Sequence, residues 1–211
     1  MDKAISLISG GIDSPVATYI MMEKGLEVDC IHFDNQPFTD SRSKEKTIKQ
    51  VKNIANKLNR KIRLYIIDHG RNLAAFKQLN GRYTCLFCKR MMLRVAEKVA
   101  RKEGAKFLIT GENLGQVASQ TLDNMVVTDS SVNLLILRPI LMNDKQETID
   151  YAKRIGTFDI SIEKSACCYA VPQKPVTKAK KDIAQAEEEK IDINALIEDS
   201  VKTAEVIVIE P

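Results

Sequence analysis

The chain has 211 residues, of which 44% are hydrophobic, and its 32 basic and 28 acidic side chains leave a net charge of +4. This composition is typical of a globular chain with one sizeable core, and the mild positive charge permits an anionic partner without requiring one. No apolar run reaches the length of a membrane-spanning helix, and the N-terminus does not resemble a signal peptide, so we expect a cytoplasmic protein with no membrane partner.

Strand and helix patterns alternate along most of the chain. Strands are predicted at Ala4–Ile8, Val28–Phe33, Ile62–Ile67, Phe107–Thr110 and Leu134–Leu137. Helices are predicted over Asp13–Lys24, Lys44–Leu58, Arg90–Lys102, part of Gly111–Met125, and the residues after Asp144. Asn143 or Asp144 would cap the last of these helices, with Glu147 completing a capping box. The alternation predicts an α/β fold with an open, doubly wound, mostly parallel sheet of five strands.

The composition changes near the C-terminus. Val171–Thr177 is rich in proline and polar residues and resembles a linker, and Lys178–Pro211 is highly charged. We therefore predict one domain over residues 1–177 and a short helical extension over residues 178–211. We assign no function to that extension, because charged runs of this kind are commonly solvated helical faces.

The strongest chemical signal lies between the first strand and the first helix, where the sequence reads Ser9-Gly10-Gly11-Ile12-Asp13-Ser14. Backbone N–H groups in a tight glycine turn, together with the helix N-terminus, form a cradle for an anion. Gly10 and Gly11 leave room for an oxyanion near the backbone, and Ser9 and Ser14 add hydroxyl donors. Asp13 beside a phosphate needs a cation between them, which predicts Mg²⁺. The alternative is an ordinary glycine turn with an aspartate cap.

These residues, continued by Pro15-Val16-Ala17, resemble the PP-loop of ATP pyrophosphatases, whose domains are adenine nucleotide α-hydrolase-like and which cleave ATP between the α- and β-phosphates. Four later segments resemble the tRNA 4-thiouridine synthase (ThiI) family: Lys89–Arg94, Thr110–Thr121, Leu137–Lys145 and Thr157–Ile162. The resemblance runs in order from about Ala4 to Thr177. Because the PP-loop begins at Ser9, we expect this chain to lack the N-terminal THUMP region of other family members. We also expect it to lack the rhodanese domain in which some members end.

The resemblance implies a set of ATP-binding residues. The groups bordering adenine and ribose would be Leu7, Ile8, His32 and Phe33, and the other nucleotide contacts would be Lys89 or Arg90, Gly111 and Gln120. Ser9, Gly10, Gly11 and Ser14 would hold pyrophosphate, and Lys145 would neutralise charge as it leaves. Two alternatives remain open: His32 could be a packing residue, and Lys145 could be a solvated first-turn lysine, although a cation there opposes the helix dipole.

Four of the five cysteines are grouped in two short motifs, Cys85-Leu86-Phe87-Cys88 and Cys167-Cys168. Adjacent cysteines rarely both bind one ion, so three ligands are predicted: Cys85, Cys88 and Cys168, with Cys167 as the alternative to Cys168. They could hold a 3Fe-4S or 4Fe-4S cluster, act as a redox dithiol, or bind zinc. The resemblance also aligns Cys168 with the family cysteine that attacks or resolves a persulfide. Cys30 is predicted to be a buried apolar residue.

The reaction implied by the resemblance is adenylation of a uracil O4, in tRNA, by ATP. A sulfur from a sulfide or persulfide donor then displaces AMP to give 4-thiouridine, with Asp13, Lys145 and Cys168 as the catalytic residues. Two other classes stay open: a PP-loop enzyme that thiolates or amidates a small molecule, and a non-catalytic sulfur-relay or nucleotide-binding subunit. The retention of both Asp13 and Lys145 argues against the second class.

How tRNA would be held is a separate question. The basic stretch Arg42–Arg63 could contact phosphates, or it could be a solvated lysine face. We expect weak binding of tRNA by this chain alone, with a separate THUMP-type protein or a homodimer supplying the remaining contacts.

Overall fold

The structure is a computed structural model that describes residues 1–211. Its centre is a six-stranded sheet in the order β5-β4-β1-β2-β3-β6. The strands are β1 (Lys3–Leu7), β2 (Glu27–Asp34), β3 (Ile62–Asp68), β4 (Phe107–Ile109), β5 (Leu135–Leu137) and β6 (Glu205–Ile209). The first five strands are mutually parallel, and β6 runs antiparallel to β3.

Nine α-helices surround the sheet. They are α1 (Asp13–Glu23), α2 (Arg42–Leu58), α3 (Gly70–Ala75), α4 (Thr84–Lys102), α5 (Leu122–Asp129), α6 (Lys145–Ile155), α7 (Phe158–Ile162), α8 (Lys181–Glu188) and α9 (Ile193–Lys202). Short 3₁₀ turns lie at Phe76–Gln78, Gly81–Tyr83 and Ala118–Gln120. None of the helices combines the length and the apolar content that crossing a bilayer needs.

Each face of the sheet is covered by its own core, because alternate strand residues point to opposite faces. Ile5, Ile31 and Ile67 are buried under α3, α4 and the C-terminal helices. Ala4 and Leu64 are buried on the other face, under α1, α2 and α6. This arrangement confirms the predicted doubly wound α/β fold.

The chain order of the strands reverses beside β1, which pairs with β2 on one side and β4 on the other. The loops that follow β1 and β4 therefore leave the sheet on opposite sides of a crevice at the carboxyl ends of the strands. Open α/β sheets bind ligands at such a switch point. The PP-loop follows β1, and Thr110 follows β4.

The predicted number of strands was wrong. The sheet has a sixth strand, β6, which pairs with β3 in a register that joins Ile62 to Ile209 and Ile66 to Glu205. The segment 178–211 does contain two helices, α8 and α9, but it also ends in this strand. The physical reason is local: Val206 to Ile209 are all β-branched, and they cover an edge of β3 that would otherwise be unpaired.

Two helix termini bear on the predicted site. Helix α4 begins at Thr84, six residues earlier than the Arg90 start predicted from its apolar pattern, so the Cys85-x-x-Cys88 motif lies within its first turns. The burial of Leu86 and Phe87 continues the apolar face of α4 toward its N-terminus. Helix α6 begins as predicted, with Asp144 as its cap and Glu147 completing the capping box.

Candidate active site

The PP-loop is a tight turn that is closed by its own serines. The backbone N–H of Ser9 donates to Ser14 Oγ at 2.8 Å, and the two serine hydroxyls lie 3.1 Å apart. Helix α2 supports the turn, since Gln50 Nε2 donates to the Gly11 carbonyl at 3.0 Å. A Cβ on Gly10 would lie 3.1 Å from Lys46 Cβ, so a side chain there would crowd α2, and Gly10 does not line the cavity described below.

Gly111 is the second glycine on which the site depends. A Cβ at this position would lie 2.5 Å from both Cα and N of Ser14, a distance that real side chains do not adopt. The absence of a side chain therefore lets the segment after β4 approach the PP-loop backbone. This contact brings the two sides of the switch-point crevice together.

A cavity of about 330 Å³ lies between these segments. Eleven of the predicted nucleotide or catalytic residues line it: Leu7, Ile8, Ser9, Gly11, Asp13, Ser14, His32, Phe33, Lys89, Gly111 and Gln120. Seven further lining residues were not predicted: Asn35, Ser43, Met92, Leu93, Thr110, Glu112 and Thr128. Thr110 and Glu112 lie within a segment quoted for the family resemblance, whereas Ser43, Asn35 and Thr128 carried no signal that sequence reasoning could use.

Several polar atoms of the cavity wall are buried without a partner. His32 is in β2, and its side chain lies under α2. Its Nδ1 is 3.1 Å from the Ile8 carbonyl and 3.2 Å from Thr47 Oγ1. The carbonyl can only accept, so the ring proton lies on Nδ1, and the unpartnered Nε2 is left as an acceptor. Burial lowers the pKa of His32, which favours this neutral form. The amide oxygens of Asn35 and Gln120 are likewise buried and unpartnered.

Unpartnered buried polar atoms are costly, and several of them around one cavity indicate that a polar ligand belongs there. The acceptor on His32 and the two amide oxygens suit the hydroxyl and amino hydrogens of a nucleoside. The open Nε2 also distinguishes His32 from a packing histidine whose polar atoms are all satisfied.

Two helix N-termini converge at the mouth of the cavity. Asp13 is the first residue of α1 and Lys145 is the first residue of α6, and Lys145 Nζ lies 3.1 Å from Asp13 Oδ1. The lysine side chain is 49% exposed, so the pair adds little to stability. Positive charge at a helix N-terminus is unfavourable, but it raises the local potential for an anion entering between the two helix ends.

A buried charge network forms the opposite wall. Glu112 accepts from Lys89 Nζ at 2.6 Å and from Arg138 Nε at 2.8 Å, and Thr110 Oγ1 donates to it at 3.1 Å. Burial alone would raise the pKa of Glu112, but Lys89 and Arg138 together lower it below its usual value. The ionised carboxylate therefore holds Lys89 in place at the cavity wall.

Arg90, the alternative to Lys89, lies outside the cavity. It is 1% exposed, and its guanidinium donates to both carboxylate oxygens of Glu188 at 2.8 Å, to Ser130 Oγ at 3.2 Å and to the Val127 carbonyl. Its guanidinium is directed toward α8 instead, so of the two residues only Lys89 lines the cavity. Arg90 is a structural residue that fastens α8 to α4.

The structure brings three of the predicted thiols together. The pKa of Cys88 is raised by burial and then by the nearby Cys85 and Cys168 thiols, and the pKa of Cys85 is raised by burial and by Cys168. Lys89 opposes both shifts. Cys167 is exposed and contributes to neither shift. Cys30 is fully buried in β2, as predicted.

The thiols do not form a site for a single metal ion. Although the three thiols influence one another, no three or more Cys, His, Asp or Glu side chains in the chain are arranged to hold a metal ion. The predicted zinc site therefore does not fit these side-chain positions, and the predicted iron–sulfur cluster gains no support from them. For Mg²⁺ the requirement is smaller, because a single carboxylate, such as Asp13, can hold this ion together with substrate phosphates.

The basic stretch of α2 is largely occupied by internal contacts. Lys46 is buried, and its Nζ donates to the carbonyls of Ser161 and Glu163 at 2.7 and 2.8 Å. Lys44 pairs with Glu205 at 2.7 Å, and Lys49 pairs with the Glu163 carboxylate at 3.0 Å. These contacts favour a structural role for the helix, with few lysines left for phosphate contacts.

The chain matches a known protein family and several named relatives. A family profile described as "Thiamine biosynthesis protein (ThiI)" matches residues 1–193. A protein of Caldanaerobacter subterraneus named "Probable tRNA sulfurtransferase" is 42% identical over 199 residues, covering 93% of this chain and 52% of that protein. A protein of the same name from Methanosarcina mazei is 40% identical over 209 residues, covering 97% and 51%. The chain spans about half the length of these relatives.

Solved structures show the same relationship. The fold matches a 4-thiouridine synthetase, solved in complex with RNA and with bound ATP, at a TM-score of 0.94 and 34% identity, over 99% of this chain and 55% of that one. It also matches the NMN synthetase of Francisella tularensis at a TM-score of 0.56 and 16% identity, over 93% of this chain and 75% of that one. The second match shows a likeness of fold alone.

Proposed function

This chain belongs to the ThiI family, and on that basis we propose that it is the adenylating and sulfur-transferring domain of a tRNA sulfurtransferase. In the proposed reaction, ATP activates a uracil O4 in tRNA, AMP and pyrophosphate are released, and sulfur replaces the oxygen to give 4-thiouridine. The solved relative with bound ATP and RNA supports both substrates.

The observation that carries the proposal is the position of α4. One face of this helix supplies Lys89, Met92 and Leu93 to the cavity wall, and its first turns carry Cys85 and Cys88. Burial raises the pKa values of both thiols, and Lys89 lies close enough to them to offset part of that rise. A nucleotide pocket and a group of thiols that share one short stretch of helix suit a reaction in which activation is followed by sulfur attack.

The chain's own groups suit the first half-reaction. The backbone N–H groups and serines of the PP-loop, at the N-terminus of α1, would bind the departing pyrophosphate, and Lys145 would stabilise the negative charge that develops on it. His32 Nε2, as a buried acceptor, would bind a donor of the nucleoside. Lys89, fixed by Glu112, would orient the phosphates next to the acceptor base.

Asp13 would hold Mg²⁺ together with the phosphates of ATP, and the ion would supply charge neutralisation on the pyrophosphate as it leaves. The position of the half-buried Asp13 side chain in the cavity wall supports this assignment, because its ion-pair partner, Lys145, is itself 49% exposed. Its contact with Lys145 is a surface ion pair that a bound cation can loosen at little cost.

For the second half-reaction we propose that Cys168 takes the terminal sulfur of a persulfide donor, whose thiol is released, and that the Cys168 persulfide then displaces AMP from the adenylated uracil. Attack of Cys85 or Cys88 on Cys168 Sγ would free 4-thiouridine and leave a disulfide, which an external thiol reduces. Sulfide as the donor would displace AMP directly, without a persulfide. The closeness of Cys168 to Cys85 and Cys88 supports exchange among the three sulfurs. Cys168→Ser should abolish sulfur transfer and spare AMP release, because sulfur enters only after activation. Cys167→Ser is the matched control and should transfer sulfur normally. Loss of transfer in both variants, or in neither, would contradict the assignment.

An iron–sulfur cluster on the same three cysteines is the second candidate, favoured only by their grouping. The side chains are not arranged to hold a single metal ion, and nothing in the structure besides the grouping points to a cluster. Iron and sulfide analysis of anaerobically purified protein separates the two candidates. Iron and sulfide in the ratio of a 3Fe-4S or 4Fe-4S cluster would replace the persulfide proposal, whereas an iron-free, active protein would support it.

The decisive test of function is the product of ATP cleavage. With Mg²⁺, tRNA, a persulfide donor and a thiol reductant, the chain should convert ATP to AMP and pyrophosphate and should form 4-thiouridine, measured by mass spectrometry of the nucleosides. Asp13→Ala should abolish turnover. Asp123→Ala is the matched control, because Asp123 is an exposed first-turn aspartate of α5. ADP as the main product would refute the PP-loop assignment, and AMP release without tRNA would favour a small-molecule acceptor.

A further inference from the structure

A buried histidine outside the nucleotide cavity contacts the thiol group. His69 lies between β3 and α3 and is fully buried, with the ring of Phe33 5.3 Å and the ring of Phe76 6.4 Å from its own. Its Nε2 lies 3.3 Å from Cys88 Sγ. Neither the family resemblance nor the reaction described above uses this side chain.

The hydrogen bonds of His69 determine which ring nitrogen carries the proton. Its Nδ1 lies 3.1 Å from the amide nitrogen of Asn72, which can only donate. Nδ1 is therefore the acceptor, and the proton of the neutral ring lies on Nε2. It follows that Nε2–H donates to the sulfur of Cys88.

The C-terminal part of the chain holds this arrangement in place. The same amide nitrogen of Asn72 donates to Ser200 Oγ at 3.1 Å, and Ser200, in α9, is 3% exposed. Asn72 is itself 1% exposed. A chain of hydrogen bonds thus runs from α9 through Asn72 and His69 to Cys88, which links the segment 178–211 to the sulfur chemistry.

We propose that His69 is a positioning residue for sulfur transfer: Asn72 fixes its Nε2–H tautomer, and Nε2–H orients the Cys88 sulfur toward Cys85 and Cys168. The inference rests on the proposed sulfurtransferase function. It adds to that function a residue that fixes the orientation of a thiol. Reactive groups in proteins are commonly oriented by a hydrogen bond from a neighbouring residue.

The tautomer can be measured without any activity. The chain contains two histidines, and the other, His32, is held in the opposite tautomer by the Ile8 carbonyl. NMR of protein labelled with ¹⁵N in histidine should show one Nε2–H ring and one Nδ1–H ring, with His69→Gln assigning the signals. Asn72→Asp should convert His69 to Nδ1–H, because a carboxylate only accepts. An Nδ1–H signal from His69 in the unmodified chain would overturn the proposal.

Activity then tests the role. His69→Phe keeps the aromatic packing but removes the N–H, and Asn72→Asp moves the proton away from the sulfur. Both should lower 4-thiouridine formation about two- to tenfold, the factor for losing a hydrogen bond between neutral groups, and leave AMP release unchanged. His69→Gln, which keeps an N–H near the same place, should recover part of the rate.

The outcomes separate this proposal from the function on which it rests. If the unmodified chain forms no 4-thiouridine, the proposed function fails, and the NMR result still decides the tautomer. If the chain forms 4-thiouridine and the three variants match it, His69 has no positioning role. Equal loss in all three, glutamine included, accompanied by a lower melting temperature, would show that His69 acts only in packing.

Discussion

Replacing Glu188 should destabilise the protein more than any other single change in the segment 178–211. Its carboxylate accepts four hydrogen bonds, each 2.8 Å long, two from Arg90 and two from Arg94. The arginine side chain of Arg90 is 1% exposed and that of Glu188 is 7% exposed. Glu188→Ala would leave the Arg90 guanidinium buried without its anion.

Loss of one partner from a buried ion pair costs about 3 to 5 kcal/mol, chiefly because the remaining charge is uncompensated. For a chain of this size that corresponds to a fall in melting temperature of about 6 to 20 °C. Urea unfolding followed by circular dichroism gives the free energy of unfolding directly. Glu189→Ala is the matched control, since Glu189 is the exposed neighbour in sequence and should change stability by less than about 0.5 kcal/mol.

The pH dependence provides a second check on the same pair. Burial alone would raise the pKa of Glu188, but Arg90 and Arg94 lower it below its ordinary value of 4.5. A lowered folded-state pKa means that the stabilisation is fully present above the unfolded value and is lost as pH falls through the folded value. The difference between the unmodified chain and Glu188→Gln should therefore be constant near neutral pH and shrink below about pH 4.5. If Glu188→Ala proved as stable as Glu189→Ala, the reasoning would be refuted.

Three further predictions concern the active site. Gly111→Ala places a Cβ 2.5 Å from the Ser14 backbone and should lower AMP release about a hundredfold, whereas Gly81→Ala, with nothing within 4 Å, should not. Lys145→Gln should lower turnover about a hundredfold without loss of thermal stability, because the lysine opposes the α6 dipole; a parallel loss of stability would contradict this. Binding of tRNA by this chain alone should be weak and fall with salt on a shallow slope, as measured by titration, and steep salt dependence would contradict that expectation.

Much of the cavity wall could be predicted because its signals are local. The order strand, glycine turn and helix is contiguous at Ser9–Ser14, and the capping box at Asp144 spans four residues. Both features depend on backbone hydrogen bonds between near neighbours, which a sequence pattern expresses directly. The eleven predicted residues that line the cavity came from such segments and from the family resemblance.

The features that were missed depend on contacts between distant residues. Strand β6 consists of the β-branched run Val206–Ile209, but its place in the sheet is determined by β3, about 140 residues earlier along the chain. The choice between Lys89 and Arg90 depended on where α4 begins and on Glu188, a partner 98 residues away from Arg90. The tautomer of His69 depends on Asn72, which is close to it in sequence. Asn72 in turn donates to the hydroxyl of Ser200, which lies 128 residues further along the chain.

Helix α4 explains why the C-terminal segment matters to the chemistry. Its residues carry separate tasks: Lys89 lines the cavity, Cys85 and Cys88 belong to the thiol group, and Arg90 is fastened to α8 by Glu188. Replacing Lys89 should affect AMP release, and replacing the cysteines should affect sulfur transfer alone. Because Glu188 fixes the position of α4 itself, its replacement should lower both activities together. A Glu188 variant that lost only one of them would show that the two activities do not depend jointly on the position of α4.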